Sequence, residues 1–359
     1  MAKPYPYNDS AQALYRPADG PPFFENWDRA ADTSNDELLC AEMARLAYAA
    51  QGPATSALSS IGFALKKWIG GPHGTDGFIA TSPDNRVMVL AFRGTETKPE
   101  DVLADGFAVS GPWVKTGQVH QGFARAYGGV RDEVNAVLAG HQGTLLITGH
   151  SLGAALATLA AADQADREPE PPTLITFGSP LVGDTDFAGS LQGLVDGGNI
   201  KRFVDCCDLV TRVPPEEFSQ SKIAELLVDL VPERIKGTVP AIATGLSVAL
   251  HVLRIQPHYV HVVEEQYRDR RGLTLAAGTT RAQDQKTARA AYGGSLVPDM
   301  GTVVGQAQAA FTAAIGAKGV QDAIRVFARE QFQGGRVPIR DLADHAPINY
   351  VSLFSGRLP

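Results

Sequence analysis

The sequence LLITGHSLGAALATLAAAD, residues 145–163, joins an apolar run to a run of small residues through the pentapeptide Gly-His-Ser-Leu-Gly. The apolar run predicts a buried strand over 145–149, and the alanine-rich run predicts a helix over roughly 152–163. Ser151 therefore lies at a strand-to-helix turn, whose strained backbone exposes a serine hydroxyl at the edge of a sheet. The pentapeptide alone is a weak signal, and its strand-before, helix-after context gives it weight.

Gly149 and Gly153 flank the serine because a side chain at either position would collide with the neighbouring strand or helix. The turn also directs the helix N-terminus at a reacting carbonyl, where developing negative charge is stabilised. A serine hydroxyl needs a base, and the base needs an orienting carboxylate. In this architecture the chain order is serine, acid, histidine. The histidines downstream of Ser151 are His251, His258, His261 and His345.

The segments around this turn alternate between strand and helix patterns. Two short apolar runs, 78–81 and 87–92, are separated by SPDNR and predict a hairpin. Further patterns predict helices over roughly 34–47, 120–139 and 184–194 and strands over 173–177 and 200–205. Strand–helix–strand units with near-continuous apolar strands predict an α/β fold whose mostly parallel central sheet is covered by helices on both faces.

Composition limits the classes of function. The chain has 359 residues, of which 44% are hydrophobic, enough for a sizeable core, and 20% are charged, too few for a charge-driven disordered chain. Its net charge of −7 argues against nucleic acid as a partner. Cys40, Cys206 and Cys207 form no disulfide framework and are expected to be buried free thiols. The spacing of the histidines predicts no metal site.

The ends of the chain carry different patterns. Residues 1–33 contain five prolines and are expected to form an extended leader of turns, and Ser34 with Glu37 forms a capping box. The start lacks a basic segment followed by an apolar run, which predicts no secretory signal and favours the cytoplasm, with secretion as the alternative. Residues 34–350 are expected to form one catalytic domain, followed by a tail over 351–359.

Two uncharged stretches, 237–253 and 300–317, approach the length of a membrane span. Their weak hydrophobicity favours buried or interfacial helices instead, so no transmembrane segment is expected. They lie in two additions at about 216–257 and 279–340, which are expected to form a helical cap over the candidate site. In the second addition, Val320, Ile324 and Phe327 predict an amphipathic helix.

Six segments in a fixed order carry a resemblance to a known family. They are AFRGTET (91–97), VHQGFARAY (119–127), ITGHSLGAALATLAA (147–161), TFGSPLVGDTDFA (176–188), DLVTRVPP (208–215) and DHAPINY (344–350). With these segments the sequence resembles the class 3 lipases, the fungal-type triacylglycerol lipases. The resemblance implies an α/β-hydrolase fold with helical cap and lid insertions.

The resemblance implies a nucleophile at Ser151, an acid at Asp208 and a base at His345. Asp205 competes with Asp208, but it lies inside the predicted strand and lacks the following Asp-x-Val-x-x-x-Pro-Pro run. Two features depart from the family's pattern: Tyr350 comes five residues after His345, and an Ala-Pro pair follows the histidine. His261 lies in a strand-like run and is expected to be structural.

The resemblance also implies an oxyanion hole. The backbone N–H of Leu152, the residue after the nucleophile, would supply one donor, and Thr95 would supply the other. Asp105 matches a carboxylate that orients the Thr95 hydroxyl, and Val102 stands nearest to the position of the family's usual tryptophan. His150 is expected to line the rear of the turn.

A lid is implied over residues 96–116. Val102, Leu103, Phe107 and Trp113 are the candidate apolar residues of the lid or acyl site. Such a flap hides its apolar face when closed and extends an acyl channel when open. The alternative interpretation is a connecting loop with some core contacts.

These observations predict a serine carboxylic-ester hydrolase, a triacylglycerol lipase or esterase, that forms an acyl-enzyme on Ser151. Its expected substrate is a lipid or small ester, taken at a lipid–water interface in the lipase case, and no metal or organic cofactor is required. The first alternative is a phospholipase A1 or another ester hydrolase of the same fold. The second is a catalytically silent lipase-like protein that binds a lipid or a partner.

Overall fold

The computed structural model describes most of the chain. The residues described are 5–25, 36–72, 74–94, 110–165, 167, 170–214, 240, 258–292, 337, 340–355 and 357–358. The candidate cap addition at 216–257 (apart from Pro240), the amphipathic pattern at 320–327 and Ser34 lie outside them.

A seven-stranded sheet forms the centre of the molecule. In chain order its strands are β2 (Ala64–Gly70), β3 (Asp76–Thr81), β4 (Val87–Phe92), β7 (Thr144–His150), β8 (Thr173–Phe177), β9 (Ile200–Asp205) and β10 (Gln266–Arg268). Their spatial order is β10-β9-β8-β7-β4-β3-β2. The five strands from β4 to β10 are parallel, and β3 pairs antiparallel with both β2 and β4.

Two small pairs of strands complete the β-structure of the described residues. They are β1 (Tyr5–Pro6), which is parallel to β11 (Arg357–Leu358), and β5 (Ser110–Pro112), which is antiparallel to β6 (Gln118–His120). The first pair joins the beginning of the described chain to its end.

Helices lie on both faces of the central sheet. They are α1 (Ala11–Tyr15), α2 (Asp36–Leu46), α3 (Gln51–Ser60), α4 (Gln121–Gly128), α5 (Arg131–Leu138), α6 (Leu152–Gln164), α7 (Thr185–Leu194), α8 (Arg281–Tyr292), α9 (Arg340–Ala343) and α10 (Pro347–Ser355). Alternate side chains of β7 enter two different cores: Leu146 packs with α2 and α10, whereas Leu145 and Ile147 pack with α4 and α6. This period of two is the reason that a sheet covered on both faces is apolar along its whole length.

The predicted α/β architecture, a mostly parallel central sheet covered by helices on both faces, is confirmed. The predicted hairpin and the strands at 173–177 and 200–205 are present, and the helix after Ser151 extends to Gln164. The single helix predicted over 120–139 is instead two helices, which separate at Gly129. The strand-like run around His261 contributes only one isolated bridge, from Val260 to Gly183.

The N-terminal segment differs from the predicted leader of turns. Its prolines lie outside α1, which therefore forms, and the Ser10 side chain caps that helix by accepting from the Ala13 N–H. Tyr5, Leu14 and Phe24 are buried in the main core. The predicted tail likewise begins inside α10. Among the described residues, no helix has both the length and the apolar character to cross a membrane.

A buried ion pair ties the C-terminal strand to the sheet. Arg357 holds the Asp205 carboxylate at the end of β9 with two hydrogen bonds, one of them Nη1 to Oδ1 at 3.0 Å, and both side chains are almost fully buried. The same guanidinium donates to the Ser352 hydroxyl and to the Asn349 carbonyl. Burial raises the pKa of Asp205, and the positive charge of Arg357 opposes that rise.

Replacing Arg357 with Met should lower the free energy of unfolding by about 3–5 kcal/mol, because Asp205 then remains buried without its partner. Arg86→Met is the matched control, since Arg86 faces Asp84 at 3.7 Å on the surface and that pair is exposed. The control should change stability by less than about 1 kcal/mol. Urea unfolding monitored by circular dichroism measures both, and equal losses would contradict the assignment.

The Arg357→Met loss should also depend on pH. Without the guanidinium the pKa of Asp205 rises further, so the native state holds a proton that the unfolded state has released. Stability then falls as pH rises from the unfolded pKa of an aspartate through this raised native value. The loss should therefore be smaller at about pH 5 than at about pH 8.

Candidate active site

The turn at Ser151 has the conformation that the sequence predicts. Ser151 lies between β7 and α6 with φ of 59° and ψ of −128°, in the left-handed region that a residue with a side chain rarely adopts. A Cβ on Gly149 would overlap the carbonyl of Gly153, and a Cβ on Gly153 would overlap the carbonyl of Phe92. The Ser151 N–H donates to the Phe177 carbonyl at 3.0 Å and fixes the turn to β8. Strand, helix and neighbouring strands therefore hold the strained serine in place.

Asp208 and His345 lie together next to this turn. The His345 Nδ1 donates to Asp208 Oδ2 at 2.8 Å, and both side chains are buried. This hydrogen bond places the proton on Nδ1 and leaves Nε2 as the nitrogen that can accept one. Among the described residues, no hydrogen bond joins His345 to the Ser151 hydroxyl. Such catalytic hydrogen bonds often tighten only when substrate binds.

The Asp208 carboxylate has two further donors. The Tyr350 hydroxyl donates to Oδ2 at 2.5 Å, and the Val210 N–H donates to Oδ1 at 2.9 Å. Burial and the adjacent Asp208 charge raise the pKa of Tyr350 well above its usual value, so this hydroxyl remains a neutral donor. Tyr350 reaches the acid even though it comes five residues after His345, because it lies within the first turn of α10.

Asp205, the competing acid, has a different environment. Its carboxylate is held by Arg357, and only its backbone meets the site: its N–H donates to the Tyr350 hydroxyl at 3.2 Å, and its carbonyl accepts from the Asp208 N–H at 2.8 Å. The geometry therefore brings Asp208, and not Asp205, to the imidazole of His345.

His150 links the turn to the histidine segment. Its Nε2–H donates to the His345 carbonyl at 2.8 Å, and its Nδ1 accepts from the Tyr48 hydroxyl at 2.9 Å. The two imidazole rings lie 4.4 Å apart. Burial and the neighbouring His345 lower the pKa of His150 well below its usual value, which keeps the ring neutral with one donor and one acceptor nitrogen. The sequence predicts its place behind the turn but not these partners.

Two glycines make close approaches at the site. Gly178, with φ of 58°, directly follows β8, and a Cβ there would lie 2.8 Å from Asp208 Oδ2 and 3.0 Å from His345 Nδ1. A Cβ on Gly94 would overlap the Tyr48 hydroxyl and lie 3.1 Å from the Ser151 Cβ. Neither role is predicted from the sequence, although a glycine at the carboxyl end of a parallel strand is the available signal.

The candidate oxyanion residues are described in part. Leu152 is the first residue of α6, where backbone N–H groups have no partner within the helix. Gly94, which directly precedes Thr95, lies beside Ser151. The other predicted residues of this group and of the lid lie outside the described residues: Thr95, Val102, Leu103, Asp105 and Phe107.

Trp113, a candidate lid residue, is a packing residue in the structure. It is buried between Tyr127 and Phe187, and its ring meets that of Phe187 edge-on with centroids 6.1 Å apart. This position agrees with the alternative interpretation of a connecting segment with core contacts.

Among the other downstream histidines, His251 lies outside the described residues and His258 is exposed. His261 is half-buried, with its Nε2 2.8 Å from the Thr211 carbonyl, and burial lowers its pKa well below the usual value. This contact agrees with a structural role for His261.

The three cysteines are free and buried, as the sequence predicts. Cys206 and Cys207, with Asp344, are the one group among the described residues whose ligand atoms lie close enough together to hold a metal ion. Each member already has hydrogen-bond partners: Cys206 Sγ is 3.5 Å from Asp284 Oδ2, and the Asp344 oxygens accept from Tyr7, Arg340 and Cys207. We therefore assign no metal to this group.

Comparison with known proteins shows which family part of the chain resembles. Residues 89–218 match the model of the class 3 lipase family, "Lipase (class 3)". The chain is 31% identical over 186 residues to phospholipase A1-II 3 of Oryza sativa subsp. indica. This match covers 42% of this chain and 44% of the relative. The chain is 30% identical over 184 residues to the lipase of Rhizomucor miehei. This match covers 48% of this chain and 50% of the relative. The chain thus spans about half the length of these relatives.

Among solved structures, a triacylglycerol lipase whose catalytic centre is described as a serine protease triad superposes with a TM-score of 0.46 and 26% identity. That match covers 50% of this chain and 74% of the other. The matched segment, residues 89–218, contains the Ser151 turn and Asp208. In that segment the chain resembles the class 3 lipase family.

Proposed function

We propose that the protein is a serine carboxylic-ester hydrolase that acts on acylglycerols, a triacylglycerol lipase or esterase. The observation that carries the proposal is the joint placement of the strained Ser151 turn and the buried Asp208–His345 pair. A structural serine does not need a strained turn, and a surface histidine does not need a buried carboxylate on Nδ1. Together these features support nucleophilic catalysis.

In the proposed reaction the Ser151 hydroxyl attacks the ester carbonyl while His345 Nε2 takes its proton. Asp208 holds the imidazole in the required tautomer and stabilises the imidazolium that forms. The backbone N–H groups of Leu152 and Thr95 stabilise the tetrahedral oxyanion. His345 then gives its proton to the leaving alcohol, and the acyl group remains on Ser151. A water molecule, activated by the same histidine, releases the fatty acid.

Phospholipase A1 activity is the second candidate, because a relative of that name is 31% identical over 186 residues. The two activities share the acyl-transfer chemistry and differ in the alcohol part of the substrate. Titration of the fatty acid released from emulsified triacylglycerol and from phosphatidylcholine vesicles separates them. Faster release from triacylglycerol supports the lipase, and release confined to the sn-1 chain of the phospholipid supports the alternative.

Ser151→Ala should lower ester hydrolysis by at least ~10³-fold, because no other group supplies the nucleophile. The measurement is a rate series on p-nitrophenyl esters from acetate to palmitate, whose chain-length optimum separates esterase from lipase. Ser190→Ala, on α7, is the matched control and should keep the wild-type rate. A fluorophosphonate probe should label the wild type on Ser151 and leave the Ser151→Ala variant unlabelled.

Hydrolysis that persists in Ser151→Ala would reject the proposed nucleophile. Failure of the wild type to hydrolyse any ester, together with failure to react with the fluorophosphonate, would favour the silent lipid-binding or partner-binding alternative.

Asp208→Asn and Asp205→Asn should have opposite effects. Asp208→Asn should lower kcat by roughly 10³–10⁴-fold, because the amide no longer fixes the His345 tautomer. Asp205→Asn weakens the buried pair with Arg357 and should lower the free energy of unfolding while kcat stays close to the wild-type value. Steady-state kinetics and urea unfolding on both variants test this, and the reverse pattern would make Asp205 the acid.

A further inference from the structure

The Asp344 carboxylate, directly before His345, is fully buried and accepts three hydrogen bonds. The Tyr7 hydroxyl and the Arg340 Nε both donate to its Oδ1 at 2.7 Å, and the Cys207 N–H donates to its Oδ2 at 2.9 Å. These donors come from three separate parts of the chain. Burial raises the pKa of Asp344, and the positive charge of Arg340 opposes that rise.

These contacts fix the segment that carries Asp208 to the segment that carries His345. Cys207 directly precedes Asp208, and its N–H binds the Asp344 side chain. On the other side of Asp208, the Leu209 N–H donates to the Asp341 carbonyl at 3.0 Å. Both neighbours of Asp208 are therefore bound to α9 or to the residue directly after it. The distance between Asp208 and His345 depends on these two hydrogen bonds as well as on their own contact.

The third donor brings in residues 5–9, which we call the N-terminal strap. Asn8 exchanges two hydrogen bonds with the Asn349 side chain, both at 2.8 Å, and Asn349 also donates to the Ala343 carbonyl at 2.9 Å. The strap thus binds α10 and, through Asn349, the end of α9.

Tyr7 lies at the centre of the strap. Its ring is beside the guanidinium groups of Arg340, at 4.3 Å, and Arg357, at 5.3 Å. Burial and the charge of Asp344 raise the pKa of Tyr7, so its hydroxyl stays protonated and donates. A neutral hydroxyl, a guanidinium and a backbone N–H thus satisfy one buried carboxylate.

We propose that Asp344 is a positioning residue for the Asp208–His345 pair and that Tyr7 makes the N-terminal strap part of that support. Asp344 acts through the backbone on both sides of the pair and touches no substrate. The strap limits how far the Asp344 carboxylate, and with it the Cys207 N–H, can move. This inference rests on the proposed ester hydrolysis for its kinetic test, but its structural test does not.

Tyr7→Phe removes only the hydroxyl that Asp344 accepts and keeps the ring beside both guanidinium groups. Its matched control is Tyr5→Phe in the same strap, because the Tyr5 hydroxyl donates to the Pro22 carbonyl at 3.3 Å and not to Asp344. Each variant loses one hydrogen bond of the strap. Only Tyr7→Phe loses one that reaches the Asp208–His345 pair.

The first readout is kinetic. Tyr7→Phe should lower kcat by roughly 3–10-fold with KM unchanged, because only part of the energy of one hydrogen bond to a charged group is used to hold the Asp208–His345 pair in place. Tyr5→Phe should keep the wild-type kcat even if its melting temperature falls by as much as that of Tyr7→Phe. The second readout is the downfield proton resonance of the His345 Nδ1–H, which reports its hydrogen bond to Asp208. It should shift or broaden in Tyr7→Phe and stay unchanged in Tyr5→Phe.

A merely structural role would move only the melting temperature. If Tyr7→Phe loses stability but keeps both its kcat and the downfield resonance, the proposal is overturned. Asp344→Asn extends the test, because the amide cannot accept at both positions, and it should lower kcat more than Tyr7→Phe does. If the wild type hydrolyses no ester, the proposed function fails, whereas an altered resonance in Tyr7→Phe still supports the positioning role.

Discussion

The close approach of β7, α6 and β4 around Ser151 is the constraint on which the rest of the site depends. Only glycine at positions 149 and 153 allows the strand and the helix to meet there, and the meeting forces Ser151 into a left-handed conformation. The serine is therefore fixed by the main chain of the sheet, and its position requires few side-chain contacts. Every other group of the candidate site has to be brought to that fixed point.

Asp208 and His345 lie on irregular segments near that point. Side-chain hydrogen bonds must therefore fix their positions, as the sheet fixes the position of Ser151. His150 binds the His345 carbonyl, and Tyr350 and the Val210 N–H bind the Asp208 carboxylate. Such hydrogen bonds in a buried site are electrostatically stronger than in water, and a missing partner there is correspondingly costly. Asp205 and Asp208 are three residues apart but have different partners. The Asp205 carboxylate binds Arg357, whereas the Asp208 carboxylate binds His345.

The sequence predicts what depends on local pattern. The apolar runs of β7, β8 and β9 and the small residues after Ser151 predict the central strands and the turn within one or two residues, since strands buried on both faces have an unmistakable composition. Pairs of residues that are far apart in the chain produce no local sequence pattern of this kind. Tyr48 and His150 are 102 positions apart, and Asp205 and Arg357 are 152 apart, so neither partner is visible from the other's neighbourhood.

The N-terminal segment is a second case in which local sequence pattern does not predict the structure. Its prolines predict turns, yet they lie beside α1 and not within it, and the pairing of β1 with β11 gives the segment a partner that its own sequence does not indicate. Local propensity is a weak prior that tertiary contacts override. Here those contacts involve Tyr7 and Asn8, two polar residues whose partners lie more than 330 positions away along the chain.

This arrangement has a consequence for how the site is kept in order. A sheet edge can hold a nucleophile, but a histidine on a late segment must be anchored by whatever packs behind it. In this chain the anchor includes the first described residues and the last, because β1 and β11 close against each other beneath α10. The polar groups between them are buried or half-buried and bind one another, and networks of this kind favour one arrangement over its neighbours. The relative position of Asp208 and His345 therefore depends on contacts between distant parts of the chain, whereas the position of Ser151 depends on its own turn.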